Sequence, residues 1–270
     1  MSNKEIRQWA YEHAKGKRGT LLGAAALILL PTFLRTLTRL LLQLWDITLP
    51  IWWDWPLHCL SRFLFLGTTF LALEIVQDRE VTAFQVFAPF KSQWLKKAIL
   101  WTLVVTVVQT LLGLYPSLLE REGRALMAQG AAWRTDRENW VELWGIYLDG
   151  EALVRKASGL SLLLSTPVSI LMMPVNYLLF LRPELSFGQL AREGLEQGFR
   201  SWFKTFGFFL GAMLPFLGVM LITAFLFSVN YLAQIVWVIL LFAFVCWWYP
   251  WWELAIAKYM DERLSWDYGR

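Results

Sequence analysis

The chain is poor in the residues that reactive chemistry and oxidative stapling use. Its two cysteines, Cys59 and Cys246, sit in separate apolar stretches, which excludes a disulfide framework and offers no metal or redox spacing. Its two histidines fare no better. His13 belongs to an amphipathic segment, and His58 adjoins Cys59, but helical neighbours point about 100° apart and no third ligand is near. Phosphate-cradling loops are missing too, since "GKRGT" at 16–20 is too short for a Walker motif and follows no strand. Catalytic residues, metal ligands and cofactors are therefore all read as none. Charge is also scarce: 17% of residues are charged, against about 25% in soluble domains. No small-residue cleavage site follows the charged opening, so no cleavable signal peptide is expected.

Apolar and aromatic residues fill the space left by charge. They make up 57% of the 270 residues, with 17 tryptophans and 19 phenylalanines, and mean hydropathy is +0.45. That composition belongs to a membrane protein. The net charge of +4 then reads as topology and not as nucleic-acid binding. A bilayer-crossing helix takes about 20 mainly apolar residues, and six runs qualify: 20–42, 57–76, 97–115, 158–181, 205–228 and 231–250. The expected fold is all-α, a polytopic helical bundle forming one membrane domain over 1–270. Lysine and arginine fall sixteen to one side and six to the other, all six in the 116–157 loop, which places both termini in the cytoplasm of a cell membrane.

Three segments ahead of outward-going spans share a design. Residues 3–18 ("NKEIRQWAYEHAKGKR"), 79–96 (from "REVTAFQVFAPFKSQW") and 183–204 ("PELSFGQLAREGLEQGFRSWFK") each set aromatics on one helical face with cations beside it. Helices of that kind lie in the headgroup region. They predict a three-fold repeat of interfacial helix and transmembrane hairpin. A fourth helix is expected near 136–149 in the outer loop, capped at its end by Gly150, as a helix on the outer leaflet or a lid.

"CWWYPWWELAIAKYM" at 246–260 crowds four tryptophans around Pro250. Residues 231–258 would make a helix of about 42 Å, longer than a hydrocarbon core of about 30 Å, so a bend at Pro250 is expected. Trp247, Trp248, Trp251 and Trp252 then form an interfacial belt, with Glu253 and Lys258 facing water. A pocket roofed by the tryptophans is the alternative.

Polar residues within spans are the candidate ligand groups. Arg35 and Arg39 lie one turn apart near the outer end of the first span, and Arg62 near that of the second. Together they form an anion site, or they snorkel to headgroups. Glu74 reaches the interface beside Arg79. Asn176, with Gln109 and Asn230, is either a ligand contact or interhelical hydrogen-bond glue. Pro31, Pro167, Pro174 and Pro215 interrupt spans; the kinks at Pro167 and Pro174 serve packing, with the freed carbonyls satisfied by nearby Ser and Thr hydroxyls, or those carbonyls line a cavity.

Four stretches resemble a known family. They are "IRQWAYEHAKGKRGTLLGAAALIL", "FLGTTFLALEIVQDREVTAFQVFAPF", "NYLLFLRPELSFGQLAREGLEQGFRSWFKTFGFFLGAMLPFLGVML" and "YPWWELAIAKYMDERL". They look like the bacterial integral membrane protein family catalogued as domain of unknown function 975, with Tyr177, Pro183, Ser186, Gly198 and Lys204 at expected positions. The chain departs from it at Arg192 and Glu193, where a serine is expected, at Leu181 or Arg182, where an aspartate is, and in the 116–157 loop. The resemblance implies a multi-span helical fold in a bacterial plasma membrane and supplies no catalytic residues.

The functional expectation is a non-enzymatic protein that embeds in or organises the bilayer, or assists an exporter or envelope process. Its partners are membrane lipids and an unspecified protein, not nucleic acid. The alternative is a transporter or channel for a small or lipidic solute. An enzyme acting on lipid would need a converging acid–base set, which the sequence does not display.

Overall fold

The computed structural model describes residues 1–43, 54–135, 138–227 and 231–267. Among them run six long helices: α1 (Asn3–Gln43), α2 (Asp54–Val76), α3 (Ser92–Gly130), α4 (Trp140–Leu181), α5 (Phe187–Phe227) and α6 (Tyr231–Asp267). Two short 3₁₀ helices, Ala83–Phe90 and Ala131–Arg134, flank α3. No strand occurs among the described residues. Five helices are long and apolar enough to cross a membrane, contributing Cys59–Val76, Ser92–Trp133, Trp140–Leu181, Phe187–Val219 and Leu240–Leu264. The molecule is thus an all-helical, multi-pass membrane protein.

The segments expected to be separate interfacial helices are not separate. Residues 3–18 are the first turns of α1, and most of 183–204 forms the first turns of α5. No proline stands at either junction. Extending a helix adds one hydrogen bond per residue, whereas leaving it exposes carbonyls that lipid cannot satisfy. The 79–96 segment differs again, folding as the 3₁₀ helix Ala83–Phe90, with Pro89 inside it, before α3 begins at Ser92.

All three segments open on the same cap. Ser2 and Glu5 exchange bonds at the start of α1, with the Ser2 N–H to Glu5 Oε2 at 2.7 Å and the Glu5 N–H to Ser2 Oγ at 3.3 Å. Ser186 and Gln189 do so before α5, at 3.0 and 3.4 Å. The Thr82 N–H donates to Gln85 Oε1 at 3.2 Å before the 3₁₀ helix. A Ser or Thr followed three residues later by Glu or Gln is a capping box, which satisfies donors the first turn leaves orphaned.

The helix expected near 136–149 does not end at Gly150. α3 continues through Pro116 to Gly130, and α4 runs from Trp140 through Gly150 to Leu181. Gly150 serves a contact instead of a cap. A Cβ there would lie 2.5 Å from the Gly123 carbonyl oxygen, and one on Gly123 would lie 2.6 Å from that of Gly150.

The fold resolves into two compact units. The larger comprises Met1–Thr102 and Met172–Arg270. Its core is built from Leu21 and Ala24 of α1, Leu71 and Leu73 of α2, Trp101 of α3, Val175 and Leu178 of α4, Phe208 of α5 and Leu254 of α6, all buried. Phe70, Trp94 and Phe180 from α2, α3 and α4 close a triangle with ring centroids 5.1 to 5.5 Å apart. The 3₁₀ helix folds back along α2, with Phe90 against Phe63 at 4.6 Å. Its Phe84, Phe87 and Phe90 recur every three residues and all are exposed, while Val86 and Ala88 are buried. A three-residue helical repeat eclipses side chains at that interval, so one edge is aromatic and the opposite one is core.

The smaller unit, Leu103–Leu171, is the rest of α3 and α4 with the turn between them. Gly123 packs on Gly150, and Gly130 packs on Leu143 and Tyr147. Near the turn Trp133 stands edge-on to Trp144 at 4.8 Å, and Trp144 stacks on Tyr147 at 5.6 Å.

Candidate functional site: a buried carboxylate and a basic cavity in the larger unit

Sequence reasoning placed Glu253 in water, and the structure buries it, leaving 6% of the residue exposed. The reason lies in α6 itself. After Pro250 the helix does not swing out to the interface. Leu254, Ala255, Ile256, Ala257, Tyr259 and Met260 are all buried, so every side of this stretch is covered. A helix that is apolar all round is an interior helix, and "ELAIAKYM" carried that signal. Glu253 is the buried charged residue inside it, and Lys258 is half-buried.

Its hydrogen-bond partner is Tyr249, one turn earlier on α6, whose phenol donates to the carboxylate. Thr68 of α2 is within hydrogen-bonding reach of the same phenol and also donates to the Phe65 carbonyl at 2.8 Å. Tyr177 of α4 is close enough to interact electrostatically with Glu253. Thr68 and Tyr177 are both buried. Three helices thus meet at one carboxyl group held by a phenol. Chemically, this arrangement can fix the helices' register or hold a proton.

Asn176, a candidate ligand residue, is engaged in packing, since its Oδ1 accepts from the Trp101 indole N–H at 2.6 Å and ties α4 to α3. Arg62 lies half-buried on α2, one residue after Ser61, whose hydroxyl donates to the Ile28 carbonyl of α1 at 3.4 Å. The side chains of Arg35 and Arg39 lie outside the described residues, so the arginine group is not assembled by anything described.

The four tryptophans divide. Trp247 is exposed and meets Tyr11 edge-on at 6.4 Å. Trp248 is buried and donates to the Ala212 carbonyl of α5 at 3.3 Å. Trp251 donates to the Arg7 carbonyl of α1 at 2.9 Å. Trp252 stands edge-on to Phe209 at 4.8 Å and stacks with Trp248 at 5.1 Å. Three of the four therefore act as interhelical ties.

A cavity of about 790 Å³ opens between α5, the start of α1 and the last turns of α6. Arg200, Lys204 and Arg263 supply its positive charge, and Glu262 lines it too. Tyr259 forms one wall, stacked on Phe208 at 4.3 Å, with the Arg263 guanidinium carbon 5.2 Å from the centroid of the Tyr259 ring. No cluster of three His, Cys, Asp or Glu side chains suited to a metal ion occurs among the described residues. Compared with protein-family models, with curated proteins and with solved structures, the chain matches none. The family resemblance therefore rests on the quoted residues alone.

Proposed function

We propose that this chain is a non-enzymatic integral protein of a bacterial cell membrane, with six spans and both termini in the cytoplasm. On this reading it works as a rigid bilayer-organising or accessory protein for an export or envelope process. The observation that carries the reading is how the interior polar groups are used. Trp101 with Asn176, Trp248 with Ala212 and Trp251 with Arg7 each tie one helix to another, and Glu253 is held by Tyr249 within α6. The outer surface carries the rest of the function. Exposed apolar residues run along α3 from Ile99 to Leu118, about 29 Å of helix, close to the hydrocarbon thickness of about 30 Å. Charged Glu120, Arg121, Glu122 and Arg124 follow directly.

The sixth span is α1, which bears exposed Leu29, Leu30, Phe33, Leu34, Leu37 and Leu41. The three capping boxes support a repeat of capped segment and hairpin, retaining a common start even though the middle copy winds as a 3₁₀ helix. A transporter is the second reading, favoured by Glu253, because ionisable groups within membrane segments are costly and concentrate at proton and ion pathways.

The deciding variant is Glu253→Gln, which keeps an acceptor for Tyr249 and removes the proton-binding group. Expressed in a strain lacking the native protein, it should sustain wild-type growth under envelope stress. A folded Glu253→Gln protein that fails to complement, and loses a pH-driven flux in liposomes that wild type displays, would replace this reading with the transporter.

A further inference from the structure

We infer that the cavity between α5 and the end of α6 is a binding site for the headgroup of an anionic phospholipid. The inference deepens the bilayer-organising reading and rests on it for the choice of a lipid as occupant. The first observation fixes the height of the site. Phe199 and Phe203 of α5 are 70% and 82% exposed, and aromatic surface left that bare in water is costly. Leu210, Leu214 and Leu217 continue the same exposed apolar stretch along α5. Arg200 and Lys204 immediately follow the two phenylalanines in sequence. Aromatic rings at the edge of an apolar stripe, with cations beside them, mark the headgroup boundary.

The second observation is the charge left over. Neither Arg200 nor Lys204 has a salt-bridge partner among the described residues. Glu262, the acidic residue in the lining, is already engaged by Lys258 at 3.5 Å and by the Met1 amine at 2.9 Å. Arg263 is the third cation, held near the Tyr259 ring. A cavity of about 790 Å³ has room for a phosphodiester and its polar substituent. The Gln197 side chain in the lining can hydrogen-bond that substituent. Phe203, at the rim, leads outward to the leucines of α5, along which acyl chains can lie. The site selects a negative headgroup joined to an apolar tail, because only that molecule meets both the cations and the exposed stripe.

The test uses the full chain in detergent, examined by native mass spectrometry with added phosphatidylglycerol, phosphatidylcholine or inorganic phosphate. Wild type should retain one phosphatidylglycerol in preference to phosphatidylcholine. The double variant Arg200→Gln, Lys204→Gln should hold phosphatidylglycerol about thirty-fold more weakly, two surface cations' worth of attraction, with phosphatidylcholine unchanged. Arg200→Lys should restore most of the affinity relative to Arg200→Gln. Arg200 and Lys204 are exposed, so the variants should keep the wild-type helical circular dichroism spectrum. Lys156→Gln, in the smaller unit, is the control and should change nothing. Equal retention of the two lipids, or no response to the double variant, overturns the site. Displacement of phosphatidylglycerol by millimolar phosphate overturns the lipid as occupant. None of these failures touches the complementation result for Glu253→Gln, which tests the broader reading by itself.

Discussion

Gly67 of α2 and Val86 of the 3₁₀ helix approach so closely that a Cβ on the glycine would lie 1.7 Å from the Val86 carbonyl oxygen. No side chain fits there without moving backbone. Gly67 is thus the seat on which the folded-back segment rests, and Gly23 of α1 is the neighbouring wall, its Cβ position 3.1 Å from Ala83. Irregular backbone within a membrane protein is tolerated where protein buries it, and Val86 is wholly covered.

Gly67→Ala should therefore lift the 3₁₀ helix off α2. Overpacking costs about 1–3 kcal/mol and more where backbone must shift, so a clear fall in thermal midpoint is expected in detergent. Gly113→Ala is the matched control, since a Cβ there meets nothing within 4 Å. That change should be neutral or stabilising by about 0.5–1 kcal/mol, the helical advantage of alanine. If the two variants melt alike, the close approach at Gly67 is not what holds the segment.

A half-buried phenol bonded to a buried carboxyl group makes a second test. Tyr249→Phe removes the donor and leaves Glu253 interior without it, at an expected cost of about 1–3 kcal/mol. Adding Glu253→Gln to Tyr249→Phe should recover part of that loss, because a neutral amide is less costly to bury than a charge. The double-mutant cycle should show coupling above about 0.5 kcal/mol, as contacting residues do. Additive losses would mean that the two side chains do not act as a pair.

Much of the fold was legible because the periodicities are long. Six apolar runs became six helices, and the exposed stripe on α1, α3 and α5 follows from leucine and phenylalanine spacing. What was not legible was where a helix stops being alone. Gly150 reads as a cap when only its own segment is considered, yet Gly123, 27 positions earlier by the numbering, makes it a contact. Glu253 and Lys258 read as a wet face because charge usually faces water. The covering comes from α1, α2 and α5, all distant in sequence. Lys258 in fact lies 5.3 Å from the Trp9 ring, half-buried. Of the site, the cations of the basic cavity were visible in the sequence as part of a one-sided lysine and arginine excess, but their convergence with Arg263 requires the fold.

The glycine pair of the smaller unit predicts an accessible helical hairpin. Gly150→Leu should push α3 and α4 apart near the turn and disturb the Trp133–Trp144 contact, which near-ultraviolet circular dichroism reads. Gly145, whose Cβ would meet nothing within 4 Å, is the place for a label. With Cys59 and Cys246 replaced by alanine, Gly145→Cys should react in intact cells with a maleimide that cannot cross the membrane. Protection until the cells are broken would put this end of the hairpin in the cytoplasm and reverse the proposed orientation.

Glu5 supplies a pH test at the other end of the chain. The Ser2 backbone N–H and, secondarily, its hydroxyl hold the Glu5 carboxyl below its ordinary value of 4.5. Because the folded value is the lower one, the cap's stabilisation is complete above the unfolded value and is lost as pH falls through the folded one. Carbon-detected NMR of Glu5 should show its titration midpoint below that of exposed glutamates in the same protein. Ser2→Ala removes the side-chain bond but keeps the larger backbone one, so the midpoint should rise only part of the way back. Ser2→Pro, which also removes the N–H, should raise it further, leaving the Met1 amine as the remaining pull downward. A Glu5 midpoint that equals those of the exposed glutamates in wild type would remove the capping box from the first of the three segments, and with it the shared start on which their kinship leans.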